Sequence, residues 1–216
     1  MSMCTHHALN VPHQETDRRI QIVDTGVANI ASLHAMFRRL GYRSNLVDRP
    51  VEIERAERLV LPGVGSFGAA MQRLQELDLV ACLRERIEAE RATFAVCLGL
   101  QLLCRASEES PGISGLSVVP HIVERFSNNV QVPQLGWNDV EFKDDRLIEN
   151  GHAYFANSFR LKHQPDGWQV AVTDYDGEFV SAMWRGNVLA CQFHPELSGA
   201  WGERLVSHWL TGTGHA

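Results

Sequence analysis

The first half of this chain alternates short apolar runs with helical patterns, and that alternation limits what it can fold into more than any other feature. Ile20-Gln21-Ile22-Val23-Asp24 reads as a strand closing in turn residues. Asn29 is placed to cap the next helix, where Leu33, Met36, Phe37 and Leu40 share one face before Gly41 ends it. Further strands are expected near Ser44 to Val47, Arg58 to Leu61 and Thr93 to Val96. A helical pattern from Phe67 to about Arg91, broken near Asp78, buries Leu74, Leu77, Leu83 and Ile87, and Leu98 to Ala106 reads as another helix. Strands joined through helices pair in parallel, because parallel neighbours need long crossovers. The expectation is therefore an α/β, mostly parallel, flavodoxin-like three-layer sheet with helices on both faces.

The second half changes character. Short strands are expected around Val130, Val140, Tyr154, Val170, Phe179 and Val188, separated by Gly, Asn, Asp and Pro, as antiparallel additions to the same sheet. A final helix from about Gly199 to Leu210 repeats Trp201, Leu205 and Trp209 on its core side. No linker divides the chain, so residues 19–212 are expected to form a single domain after a disordered polar extension over 1–18. The chain has 216 residues, 44% of them apolar, and a formal charge of −6, which argues against a nucleic-acid reader. No apolar run is long enough to span a membrane, and the N-terminus lacks the apolar core of an export signal. Five irregularly spaced cysteines without a C-x-x-C pair then read as reduced thiols of a cytoplasmic protein, and no metal-ligand spacing is present.

Three local patterns carry chemistry. Cys97 stands where the apolar strand Thr93-Phe94-Ala95-Val96 meets a helix beginning Leu98-Gly99. Such a turn lifts a side chain above the carboxyl edge of the sheet and places its sulfur near helix N–H groups that favour a thiolate. A buried apolar cysteine is the competing reading of the same pattern. His194-Pro195-Glu196 comes after another strand-like run, and two residues of extended chain would turn His194 and Glu196 to one side, a base with an orienting acid. A surface turn is the plain alternative. Gly63-Val64-Gly65 can aim the amides of Val64 and Gly65 at an oxyanion, with the Leu98 amide as a further donor. The loop lacks the Lys-Ser/Thr of a phosphate-binding loop and also suits an ordinary strand-to-helix turn.

Taken together, Leu61-Pro62-Gly63-Val64-Gly65-Ser66-Phe67-Gly68, Val96-Cys97-Leu98-Gly99-Leu100-Gln101-Leu102-Leu103, Val132-Pro133-Gln134-Leu135-Gly136-Trp137-Asn138 and Gln192-Phe193-His194-Pro195-Glu196 stand in the order seen in class I glutamine amidotransferases. The chain resembles that family from Ile20 to Leu210. Within the family it is most similar to the glutaminase subunits of imidazole glycerol phosphate synthase, of histidine biosynthesis.

The resemblance implies that Cys97 attacks the side-chain amide of glutamine, with His194 as base and then acid and Glu196 orienting it. It implies that Gln101 and Glu109 contact the glutamine and that the backbone around Ser158 and Phe159 takes its carboxylate. It implies no cofactor, and a heterodimer with a (β/α)₈ cyclase subunit. That subunit would receive ammonia through a tunnel to make imidazole glycerol phosphate and aminoimidazole carboxamide ribotide. Asn29, Trp137, Asn138 and Tyr154 match positions that face this partner. Asp24-Thr25-Gly26-Val27-Ala28-Asn29 departs from the usual Asp-Tyr-Gly-x-Gly-Asn. Ala95 replaces a Gly, Asn157 a His, and Leu197 a Lys that reaches the cyclase. The departures at Thr25, Ala28, Asn157 and Leu197 are expected to share the partner face. The alternatives are a paralogous glutaminase serving another cyclase-like synthase, such as one aminating a surface sugar, and a non-catalytic module on the same fold.

Overall fold

The computed structural model describes residues 18–26, 30–143 and 149–212. The expected extension, apart from Arg18, lies outside these residues, as do Ala28 and the capping and interface residue Asn29. The elements in order are β1 (Arg19–Val23), α1 (Ile30–Arg39), β2 (Arg43–Val47), α2 (Pro50–Arg55), β3 (Leu59–Leu61), α3 (Phe67–Glu76), α4 (Val80–Glu88), β4 (Thr93–Val96) and α5 (Leu98–Leu102). Then come β5 (Cys104–Ser107), β6 (Val119–Arg125), β7 (Gln134–Phe142), β8 (Gly151–Asn157), β9 (Phe159–Arg160), β10 (Gln169–Asp174), β11 (Glu178–Arg185), β12 (Val188–Cys191), a 3-10 turn (Pro195–Leu197) and α6 (Gly199–Gly212).

Nine strands form one sheet in the order β2-β1-β3-β4-β12-β11-β10-β7-β8. The first five pair in parallel, a doubly wound order, and β11, β10, β7 and β8 extend them antiparallel. Because side chains alternate along a strand, the core divides into two layers. Leu59, Leu61, Ala95, Val188 and Ala190 pack with α2, α3 and α4, whereas Val60, Phe94, Val96, Leu189 and Cys191 pack with α1 and α6. The expected break near Asp78 is present: Asp78 takes φ 56° between α3 and α4.

Three expectations are corrected. The helix read over Leu98 to Ala106 stops at Leu102, and Cys104–Ser107 becomes a strand parallel to β6. The carbonyls of Leu102, Leu103 and Cys104 accept from the amides of Leu116, Val119 and Ser117, so pairing with a distant segment replaces the next helical turn. No strand forms at Val130. The preceding residues make a polar turn in which the Ser127 amide and hydroxyl donate to Asp176 and the Asn129 amide to Ser127 Oγ. The strand expected near Val188 as an antiparallel addition is Val188–Cys191, which lies beside β4 and pairs with it in parallel, while β5, β6 and β9 form a separate small sheet. β6 has no clear signal, because Pro120 and several charged residues interrupt its apolar alternation.

Candidate active site

β4 and β12 lie side by side and parallel, so both carboxyl ends open on the same edge of the sheet. Cys97 comes directly after β4 with φ 53° and ψ −108°, a strained conformation for a residue with a side chain. Its amide is held by the Cys191 carbonyl at 2.7 Å, and its own carbonyl accepts from Leu100 at 3.0 Å. A side chain at Gly99 would place its Cβ 2.1 Å from the Leu61 carbonyl oxygen, so the tight turn requires glycine there. α5 is five residues long. A helix this short sets no long dipole behind the sulfur, and two of its first-turn amides are engaged, Leu98 with the Gly63 carbonyl and Leu100 with the Cys97 carbonyl.

His194 arrives from the end of β12. Its Nδ1 lies 2.9 Å from Glu196 Oε1, and both side chains are almost fully buried. The pairing is as expected but its cause differs, because Pro195–Leu197 is a 3-10 turn and not extended chain. The His194 amide donates to the Tyr154 carbonyl at 2.9 Å, and Ser198 Oγ donates to the His194 carbonyl at 2.6 Å, which fixes the backbone that carries the imidazole. Burial alone would lower the affinity of this ring for its proton. The Cys97 sulfur and the Glu196 carboxylate outweigh burial and push the His194 pKa up to about 10. The ring therefore holds its proton at neutral pH, beside a sulfur and braced by a carboxylate.

A cavity of about 320 Å³ opens in front of Cys97. Val64, Gly65, Cys97, Leu98, Gln101, Glu109, Ser158, Phe159 and His194 all line it, with Glu196 behind His194. The structure therefore brings together every residue expected for the catalytic, oxyanion and glutamine-contact roles. One donor is engaged, however. The Leu98 amide points to the Gly63 carbonyl at 3.4 Å, and Gly63 packs so tightly that a Cβ there would lie 2.5 Å from Leu98 Cβ. Glu109 Oε2 accepts from the first amide of α3, Phe67 N, at 2.7 Å, which ties the cavity wall to the helix beyond the glycine loop.

Two residues named from the sequence without a role in the site belong to it. Asn157 lines the cavity and donates from Nδ2 to the Phe159 carbonyl at 3.0 Å. Gln192, fully buried, donates to Cys97 Sγ at 3.6 Å. A polar residue closing the apolar run of β12 is the one local signal for Gln192. Among the described residues, no group of three or more His, Cys, Asp or Glu side chains is placed to hold a metal.

Trp137 (58% exposed) and Leu135 (65%) share one face of β7, where Tyr154 meets Trp137 edge-on at 6.3 Å, and Leu197 is exposed on the turn after His194. Asn138 alternates away from this face and donates to the Asp174 carbonyl at 3.1 Å. The departures do not share the face as expected. Thr25 and Asn157 are buried, Ala28 lies outside the described residues, and Leu197 alone is exposed.

The model of class I glutamine amidotransferases matches residues 21–210, and the chain belongs to that family. Within it the chain belongs with the HisH subunits. It is 39% identical to the imidazole glycerol phosphate synthase subunit HisH of Thermotoga maritima, over 87% of this chain and 94% of that one. It is also 37% identical to the chloroplastic imidazole glycerol phosphate synthase hisHF of Arabidopsis thaliana, over 90% of this chain but 34% of that longer protein. Among solved structures, one described as a glutamine amidotransferase superposes with a TM-score of 0.73 at 23% identity, covering 90% of this chain and 98% of that one. That likeness concerns the fold.

Proposed function

We propose that this chain hydrolyses glutamine to glutamate and passes the ammonia to a (β/α)₈ cyclase subunit, with which it forms a cytoplasmic heterodimer. That subunit uses the ammonia to make imidazole glycerol phosphate and aminoimidazole carboxamide ribotide. The observation that carries the reading is the convergence of Cys97 and His194 on one cavity, with Glu196 holding His194 from behind and the glutamine-contact candidates on the other walls.

The Cys97 thiolate attacks the side-chain amide carbon of glutamine, and the carbonyl electrons move onto oxygen. His194, protonated in the resting site, gives its proton to the leaving nitrogen, and ammonia departs from a thioester. Neutral His194 then takes a proton from water, which attacks the thioester. Glutamate leaves and the thiolate and imidazolium are restored. Glu196 keeps the ring oriented throughout and stabilises its positive form. Gln101 and Glu109 contact the glutamine, Glu109 near its ammonium group, and the backbone of Ser158 and Phe159 takes the carboxylate.

The oxyanion needs donors that do not reorganise during the reaction. Val64, Gly65 and Leu98 supply them once the loop moves and Gly63 releases the Leu98 amide. A site closed in this way withholds full activity until the acceptor subunit is in place. Leu135, Trp137, Tyr154 and Leu197 are where that subunit docks.

An electrophilic glutamine analogue tests the reading. Mass spectrometry is expected to find the adduct on Cys97. An adduct mainly on Cys82, Cys104 or Cys191 contradicts it. Burial pushes the Cys104 thiol up to about 12, and Cys191 also lies well above the usual thiol range, chiefly through burial, so neither competes as a nucleophile.

A further inference from the structure

The direction of the Gln192 amide is fixed by a chain of hydrogen bonds that begins at a group able only to accept. The Phe159 carbonyl receives Gln101 Nε2 at 3.2 Å and Asn157 Nδ2 at 3.0 Å. Gln101 must therefore turn its nitrogen this way, and the same nitrogen donates to Gln192 Oε1 at 3.0 Å. With its oxygen taken, Gln192 has only its amide nitrogen to present to Cys97 Sγ, at 3.6 Å. Gln192 is fully buried, so no solvent competes for that N–H.

A sulfur accepts a hydrogen bond weakly as a thiol and strongly as a thiolate, because the charged acceptor makes the stronger bond. An N–H held against it in a dry site favours the anion and sets the direction from which the sulfur attacks. The charged and titratable groups around the sulfur are His194 with Glu196 behind it, Cys191 beneath, and Glu109 across the cavity. Gln192 differs from all of them in carrying no titrating proton, so its contribution persists at any pH.

We propose that Gln192 is a further catalytic residue, which donates to the Cys97 sulfur, holds it as the thiolate and is itself polarised by Gln101. The proposal rests on Cys97 being the nucleophile of the glutaminase reading. It adds that Gln101, a wall of the glutamine cavity, is joined to the reacting sulfur through a single side chain.

The test is the pH dependence of iodoacetamide alkylation at Cys97 in the full chain, read on the Cys97 peptide by mass spectrometry. Gln192→Met fills similar volume without a donor. It is expected to move the alkylation midpoint up by about one pH unit and to slow labelling near neutral pH about tenfold. Gln192→Glu, which keeps the acceptor toward Gln101 and turns a carboxylate to the sulfur, is expected to shift it at least as far. Gln101→Met leaves Gln192 in place without its polarising partner and is expected to give a smaller shift in the same direction. If Gln192→Met does not fold, the other two variants decide. A wild-type alkylation profile in the folded Gln192 variants overturns the proposal. Alkylation requires no glutamine, so the two readings fail separately. Absence of glutamine turnover by the unaltered protein with its acceptor subunit overturns the glutaminase reading, and an unshifted profile overturns the role of Gln192.

Discussion

The backbone N–H of Leu98, one residue after Cys97, is turned to the carbonyl of Gly63, at 3.4 Å, and in the proposed mechanism that N–H is an oxyanion donor. Gly63 lies on the loop after β3 and Leu98 opens α5, so freeing the amide requires the glycine loop to move. The isolated chain is therefore expected to hydrolyse glutamine slowly. The acceptor subunit with its ligand is expected to raise turnover at least about tenfold, or about 1.4 kcal/mol of barrier. Steady-state glutamate release with and without the partner measures it. Equal rates would contradict the closed-donor account.

His194, held between the Cys97 sulfur and the Glu196 carboxylate, sets a pH dependence of stability. Folding raises the His194 pKa to about 10 from its ordinary 6.5, so the stabilisation is fully present below about pH 6.5 and disappears as pH rises through about 10. Glu196→Gln removes one of the two groups that raise it. The variant should be less stable than the native chain by roughly 1–2 kcal/mol at about pH 6, with the gap narrowing toward about pH 10. Urea unfolding across that range checks both sign and window. A gap that widens with pH would contradict the assignment.

Arg86 is a buried cation answered by neutral oxygens. Its guanidinium donates to the carbonyls of Ile53, Ala56, Glu57 and Ala92 and to Thr93 Oγ1, which joins the end of α2 to β4 from α4. Burial and the nearby Arg91 lower its pKa to about 10, so it stays charged at neutral pH. Arg86→Met should leave several carbonyls unpaired and cost about 3 kcal/mol in urea unfolding, without moving Cys97 labelling. A loss below about 1 kcal/mol would show that water replaces the guanidinium.

How much of this is legible in the sequence depends on the range of the interactions involved. The Cys97 turn, the break at Asp78 and the His194–Glu196 pair depend on residues close in sequence, and their local patterns carry them. The strand Cys104–Ser107 is hidden, because Leu100, Leu102 and Leu103 continue a helical stripe, and only pairing with Val119–Arg125 turns residues 104–107 into a strand. The closeness of His194 and Glu196 is expected for the wrong reason, since a 3-10 turn and not strand alternation brings them together. Gln192 is separated from Gln101 and Cys97 by about ninety residues, and nothing local reveals that three side chains will meet. Asn138 and Trp137 are sequence neighbours, and the pleat of β7 sends them to opposite faces.

The exposed face beside the site predicts its own partner dependence. Trp137→Ala should weaken association with the acceptor subunit by about 2 kcal/mol or more, as truncating a large exposed aromatic at an interface does. Leu197→Lys should weaken that association or leave it unchanged, because a cation placed in an apolar contact lacks a carboxylate to meet it. Titration calorimetry measures both. Tighter binding by Leu197→Lys would mean that the partner offers an acid there.

The central claim is that Cys97 is the nucleophile that releases ammonia for use elsewhere. The most direct measurement compares glutamine-dependent and ammonia-dependent synthesis by the assembled complex carrying Cys97→Ala. The account predicts that the glutamine-dependent reaction disappears while synthesis from added ammonia continues at the native rate. Equal loss of both in an intact complex, or glutamine-dependent synthesis that survives, would contradict it.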